Sequence, residues 1–441
     1  MTASPTLVHE GTVARPGARL ARTLARSTAA PPPESLTTGF IRSYALFWVL
    51  GLGFLWWPVL LLRALRARVR GTTVAFLPLV IVVGLALSLL VAALSGASLP
   101  RVFSAGYNVS IWLTLAVLTT VRIDVTAVVR GIAQLAGLQS AAVLAALGLY
   151  PVLSGAPLPS TFVLPASLAE DPGFESFTTI RLVAEDYFGG TVLQTAGFFG
   201  NPTWAGVLAA LGILATVHLL SRGGTRSRAL YAGLLVLDGA VLYLSYSRNT
   251  WLALGAALLA MAVLTMARRQ QWFTLAVTAV SGLGAVVYVL VSIDLGATFE
   301  YYNSVREGSL ESRTEIYEMT WRAIVDSPFP LIGSGIKERV PGLVASLGTH
   351  SGYLGILYRG GWLAIAALVL WLVVLMWRSL RVSPLAMGSA VLATVWFVAE
   401  DVDAGHLAPL ALVLAFALTD RPSPDGPVGG TRRSRKTPRS G

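Results

Sequence analysis

The sequence predicts an all-α integral membrane protein: a polytopic bundle of about 10–12 transmembrane helices with two long external loops. Composition is the first reason. The 441 residues are 55% hydrophobic and 12% charged, with a mean hydropathy of +0.69, whereas soluble domains carry about 25% charged residues. The second reason is length: apolar runs of about 20 residues recur, each enough to cross a hydrocarbon core of ~30 Å as a helix. Third, none of these runs shows the alternation of a membrane barrel strand. There is no cysteine, so disulfides and thiol chemistry are excluded.

Taken in order, residues 1–42 are rich in Ala, Pro, Arg and Thr, lack an apolar core, and read as a disordered basic tail with no cleavable signal segment. Residues 421–441, with "RRSRK" at Arg432 to Lys436, read as a second one. Between them, residues 43–420 form the membrane domain, with apolar segments at 43–62, 73–95, 103–121, 131–153, 203–220, 229–246, 251–267, 273–292, 353–377, 384–400 and 406–420. Basic blocks at Arg222, Arg226 and Arg228, at Arg268 and Arg269, and at Arg378 and Arg381 mark cytoplasmic loops. The loops 154–202, 247–250, 293–352 and 401–405 then fall on the external face, where most of the acids also lie. The first segment conflicts with this rule. Basic residues stand on both sides of 43–62, at Arg42 and before it and at Arg63 to Arg70 after it. Either the N-terminus is external against its charge, or the segment does not cross fully and its "FLWWP" seats Trp56 and Trp57 at an interface. The net charge of +11 serves topology and anionic lipid contact, and no nucleic-acid partner is expected.

The loop 293–352 contains "SRTEIYEMTWRAI", where Ser312 and Glu315 have capping-box spacing and Ile316, Met319, Ala323 and Ile324 form an apolar stripe. An amphipathic helix over the bundle is expected. Arg313 would sit in its first turn, where a cation is disfavoured unless an anion relieves it. Tyr317 and Trp321 follow on the same face, a combination suited to an anionic, ring-bearing ligand. The plainer alternative is a surface salt bridge to Glu311 or Glu315. Arg248, in "LSYSRNTWLAL", stands at a short external turn among Ser245, Ser247, Asn249 and Thr250. It either anchors the turn or faces a polar pocket floor. His350, in "GTHSGYL", is one of four histidines. It reads as a structural interfacial residue, as a general base with a usual pKa of ~6.5, or as a donor to phosphate. No ligand spacing indicates a metal. Asp238 lies near the middle of a span, where a carboxylate is costly and functional by default, and it motivates the alternative of a transporter for a small anion or glycan precursor. A structural subunit of an envelope-assembly complex is the blander third reading.

Four patterns, in this order, carry a family resemblance: "GFFGNPTWAG" (Gly197 to Gly206), "SYSRNTWLAL" (Ser245 to Leu254), "SRTEIYEMTWRAIVDSPFPLIGSGI" (Ser312 to Ile336) and "THSGYLGILYRGGWLA" (Thr349 to Ala364). Over roughly residues 73–420 the chain resembles the O-antigen ligase and O-antigen polymerase superfamily of bacterial envelope proteins. The resemblance implies a fold similar to membrane glycosyltransferases that use polyprenyl donors. It also implies transfer of a glycan from an undecaprenyl-pyrophosphate carrier to a lipid, glycan or protein acceptor, on the external face of the bacterial cytoplasmic membrane. Arg248 and Arg313 match the family's pyrophosphate-binding arginines and His350 its loop histidine, which positions or deprotonates the acceptor hydroxyl. Arg359, Tyr317, Trp321, Tyr353 and Asn201 are further candidates for substrate binding. Guanidinium groups can stabilise a departing pyrophosphate through bidentate hydrogen bonds without a metal. The loop 96–101 ("GASLPR") holds no acidic pair, so a reaction without metal or other cofactor is expected. The chain departs from the family where Asn often follows the histidine and an acid often precedes the glycine pair; here these are Ser351 and Arg359.

Overall fold

A computed structural model of the chain describes residues 38–67, 75–121, 123–153, 158–159, 179–180, 182–185, 193–199, 201–222, 225–271, 273–274, 277, 309–343, 345–402 and 406–419. Most of both predicted tails, most of the segment 273–292 and much of the two long loops lie outside these residues. Twelve α-helices are present among the described residues. They are α1 Thr38–Val49, α2 Trp56–Arg66, α3 Phe76–Leu94, α4 Leu99–Leu118, α5 Val125–Leu153, α6 Pro202–Leu220, α7 Thr225–Leu244, α8 Arg248–Arg268, α9 Ser309–Val325, α10 Gly352–Val382, α11 Pro384–Ala399 and α12 Leu410–Thr419. Seven of them, α3 to α8 and α10, are long and apolar enough to cross a membrane. The protein is thus an all-α polytopic membrane protein. Its strands form two short antiparallel ladders inside the loop before α6: β1 Leu158–Pro159 with β2 Thr179–Ile180, and β3 Val183–Glu185 with β4 Leu193–Thr195.

Of the two alternatives for 43–62, the structure favours a segment that does not cross in one pass: it forms two short helices, α1 and α2. Twelve residues reach only about 18 Å at 1.5 Å per residue, well short of a hydrocarbon core. The chain breaks after α1 at Gly51, whose φ of 71° is open to glycine and strained for other residues. Thr38 Oγ1 donates to the Ala127 carbonyl at 3.0 Å, so α1 starts beside the start of α5. α2 folds back until the Arg63 guanidinium lies 4.7 Å above the Phe40 ring. Arg42 and Arg63 are therefore at one end of a helical hairpin, and the charge conflict of the sequence disappears. Trp56 and Trp57, expected at an interface, are fully buried. Trp56 stacks on Phe40 at 5.3 Å, and Trp57 Nε1 donates to the His406 carbonyl at 2.8 Å. The indole N–H of Trp57 finds an acceptor inside the protein, so the ring has no need of the headgroup region.

The bundle is built from neighbours in sequence and from pairings of helices far apart in the chain. α3 and α4 form a hairpin, α6 packs between α5 and α7, α8 packs along α11, and α10 packs along α3. One apolar core runs through these contacts. α10 is interrupted at Gly361, where φ is 69° and ψ is −172°. A break inside a membrane helix frees backbone groups that must find partners within the protein. Here the loop after α9 supplies them. Ser334 N and Gly335 N donate to the Tyr358 and Arg359 carbonyls at 2.8 and 2.9 Å, while Trp362 N and Leu363 N donate to the Pro330 and Leu331 carbonyls at 3.0 and 3.4 Å. The loop comes so close that a Cβ on Gly361 would lie 2.3 Å from the Leu331 carbonyl. This stitching ties the segment 330–335 into α10 and holds the rest of the loop near the helix's first turns.

Candidate active site

The predicted amphipathic helix exists as α9, but it begins at Ser309, not at the expected Ser312 cap. Ile316 and Ile324 are buried and Met319 and Ala323 half-buried, so the predicted stripe faces inward, with Met319, Ala323 and Ile324 packing with Leu347, Leu357 and Tyr358. The earlier start moves Arg313 out of the first turn. Among the described side chains its ion-pair partner is Glu400, the residue that ends α11, at 3.6 Å; the side chain of Glu311 lies outside them. An ion pair between α9 and α11 could not be read from local spacing.

α9 also holds the segment that carries His350. Tyr317 Oη donates to the His350 carbonyl at 2.5 Å, and Gly348 N donates to Thr320 Oγ1 at 3.0 Å. Burial pushes the Tyr317 hydroxyl above its ordinary pKa of 10.0, with Arg313 opposing and Glu400 reinforcing that shift. Tyr317 therefore stays protonated and remains a donor. His350 itself has a φ of 61°, a left-handed conformation that costs a non-glycine residue on the order of 1–3 kcal/mol and collects at functional sites. Next to it, Ser351 caps α10: its side chain accepts from Leu354 N at 3.3 Å. Asn and Ser serve this position about equally well, which accounts physically for Ser351 where Asn is usual.

Arg248 is the first residue of α8 and is exposed. Beneath it Ser245, Ser247 and Thr250 are buried, Ser247 Oγ and Thr250 Oγ1 lying 2.7 Å apart. The turn before it contains Tyr246 with a φ of 50°, so this motif too includes a strained backbone. Asn249 Nδ2 donates to the Trp396 carbonyl at 2.9 Å, one helical turn before Glu400 on α11. The C-terminal end of α11 is thus the point where α8 with Arg248 and α9 with Arg313 converge, and α9 in turn carries His350. The "NPTWAG" motif meets the same turn from α6: a Cβ on Gly206 would lie 2.9 Å from Ser245 Oγ. Asn201 is the N-cap of α6, its side chain accepting from Thr203 N at 2.9 Å.

Below this rim lies an ion cluster that sequence reasoning missed. Asp401 receives both of its oxygens' bonds from Arg359 Nη2, at 2.8 and 2.9 Å. Lys337 Nζ is 2.9 Å from its Oδ2, and Val402 N donates to its Oδ1 at 2.7 Å. Arg359 Nε also donates to the Gly355 carbonyl at 3.0 Å. Arg359 is only 2% exposed. The expectation of a third phosphate contact there needs correction: its guanidinium is turned inward to Asp401 and presents almost no surface to a ligand. Among the other candidates, Trp321 is exposed and meets Trp362 edge-on at 6.4 Å, whereas Tyr353 donates to the Thr394 carbonyl at 2.8 Å and braces α10 against α11. The only sequence signal for the cluster was a pair of acids, Glu400 and Asp401, at the end of a span. Lys337 and Arg359 both turn to Asp401 and Arg313 to Glu400, while Arg248 is exposed at the start of α8.

Asp238 stands elsewhere. It is fully buried between α5, α6 and α7, its Oδ1 accepting from Ser140 Oγ at 2.7 Å, while a Cβ on Gly212 would lie 2.4 Å from its Oδ2. The carboxyl is enclosed at a helix junction.

No curated protein and no solved structure matches the chain. A family model described as O-antigen ligase matches residues 233–369, from α7 to the middle of α10, and so takes in Arg248, Arg313, His350 and Arg359. Over these residues, about a third of the chain, the match supports the resemblance to the O-antigen ligase superfamily.

Proposed function

We propose that this protein is a membrane glycosyltransferase that moves a glycan from an undecaprenyl-pyrophosphate carrier to an acceptor hydroxyl at the external face of the bacterial cytoplasmic membrane, without a metal. The observation that carries the reading is the convergence of α8, α9 and the His350 segment on the C-terminal end of α11. In this mechanism the acceptor oxygen attacks the anomeric carbon, and the bond from that carbon to the pyrophosphate oxygen breaks. The electron pair leaves on undecaprenyl pyrophosphate. Negative charge grows on the phosphate oxygens as the bond opens, and Arg248 and Arg313 stabilise it by charge-assisted hydrogen bonds. Glu400, 3.6 Å from Arg313, holds that guanidinium in place before the donor arrives. His350 accepts the acceptor's proton or orients its hydroxyl. Tyr317 and Trp321 lie one and two turns along α9 from Arg313 and offer aromatic faces to the first sugars.

Replacing Arg248, Arg313 or His350 with Ala should each abolish glycan transfer from a lipid-linked donor while membrane levels of the protein stay unchanged. Loss of one phosphate-stabilising group of this kind costs about 10²–10³ in rate. Full activity in all three variants overturns the assignment.

A further inference from the structure

A second polar site lies at the opposite, arginine-rich end of the bundle, where no part of the proposed transfer chemistry operates. There a cavity of about 1130 Å³ opens between the start of α5, the ends of α6 and α8, the junction of α10 and α11, and the end of α12. Ligand pockets are usually about 300–1,000 Å³, so this one is large enough for an amphiphile. Its mouth carries Arg130, Arg222, Arg268 and Arg269, all exposed, with His218 half-buried beside them. No Asp or Glu is among its lining residues within the described part of the chain. The nearest acid in sequence, Asp124, is turned to the backbone, accepting from Thr126 N and Ala127 N at 2.9 and 3.2 Å. Arg268 is committed to the helix end, donating to the Leu380 and Val382 carbonyls at 2.8 and 3.1 Å. It neutralises the negative end of α10 and leaves three other guanidiniums around the mouth. The apolar part of the wall is formed by half-buried Val217, Tyr231, Leu258 and Met266.

A polar, cationic mouth over an apolar interior matches one chemistry: a phosphate headgroup with acyl chains attached. We infer that this cavity binds an anionic glycerophospholipid of the adjacent leaflet, its phosphate held by Arg130, Arg222 and Arg269 and its chains lying against Val217, Tyr231, Leu258 and Met266. Basic pockets between helices on the cytoplasmic side capture such headgroups by the same forces that give each Lys or Arg about 1 kcal/mol of attraction to an anionic surface. A free phosphate would gain the charges and leave the apolar wall unused, so the lipid is the fitting occupant.

The test uses the full chain purified in a neutral detergent, with phosphatidylglycerol, phosphatidylcholine of the same acyl chains, or inorganic phosphate added at equal phosphate concentration. Phosphatidylglycerol should raise the thermal unfolding midpoint saturably, by about 3 °C or more, and neither of the others should. The triple variant Arg130→Ala, Arg222→Ala, Arg269→Ala should lose the shift. The matching triple Lys variant, which keeps the charges, should retain most of it. An equal shift with phosphatidylcholine means ordinary solvation by lipid, an equal shift with inorganic phosphate means a soluble anion, and an undiminished shift in the Ala variant means another site. Any of the three overturns the inference, and the wild-type comparison alone decides it if the Ala variant does not fold.

Discussion

The cluster around Asp401 allows a quantitative test. In the variant Asp401→Ala, Arg359 loses its bidentate partner while its side chain remains 3% exposed, and it retains only the Gly355 carbonyl. Lys337, 16% exposed, is left facing the same space, so two cations meet where a carboxylate separated them. Val402 N also loses its acceptor. Removing one partner of a buried pair costs about 3–5 kcal/mol, because the other charge stays behind uncompensated. The side chains are too well enclosed for solvent to screen much of this loss, so about 4 kcal/mol is expected. The double variant Arg359→Met, Asp401→Leu removes both charges and should return to within about 1 kcal/mol of the wild type, as apolar replacements of buried pairs do. Tryptophan fluorescence during unfolding in mixed micelles of detergent and dodecyl sulfate would measure all three proteins. A loss below about 1 kcal/mol in Asp401→Ala, or a double variant no better than the single, refutes the view that this pair is a buried unit tying α10 to the chain after α11.

Ser351→Ala should cost about 1 kcal/mol by removing the cap of α10, while Ser351→Asn should stay within a few tenths; the same unfolding measurement checks both. Gly361→Ala should lower the yield of folded monomer on fluorescence-detected size exclusion, at a cost of about 3 kcal/mol or more, since the new Cβ falls 2.3 Å from the Leu331 carbonyl at a φ of 69°. Asp238→Asn keeps the acceptor for Ser140 and should leave glycan transfer within about twofold, as expected for an enclosed residue outside the reacting groups. Loss of anion flux in proteoliposomes in that variant, with transfer absent from the wild type, would instead favour the transporter reading.

How much was legible in the sequence differs by element. The spans 73–95, 103–121 and 203–220 appear within a few residues of their predicted ends as α3, α4 and α6, and 131–153 as α5, which starts earlier at Val125, because length and apolar composition alone determine what can cross a bilayer. The inward stripe of α9 was equally visible, since it depends only on the helical repeat. The segment 43–62 stayed open between crossing and not crossing, because an apolar run of the right length contains no statement about where it turns; the "GLG" at Gly51 to Gly53 was the available signal. The broken α10 had a similar signal in Gly360 and Gly361. What made the break tolerable, however, was the loop 330–335 hydrogen-bonding into it from elsewhere.

The sequence by itself determined the class of protein, the inward stripe of α9, and the three motif residues Arg248, Arg313 and His350, since hydropathy, helical periodicity and motif order are local properties of the chain. Only the tertiary structure decided what those residues meet. Glu400 lies 87 positions from Arg313 and Asp401 lies 42 from Arg359, and no local rule couples such distances. That coupling comes from α11 packing along α8 and against α10, which brings the end of one span to the loop of another. Charge complementarity across that junction, not spacing along the chain, turned Arg359 inward to hold the fold and left Arg313 and Arg248 at the rim.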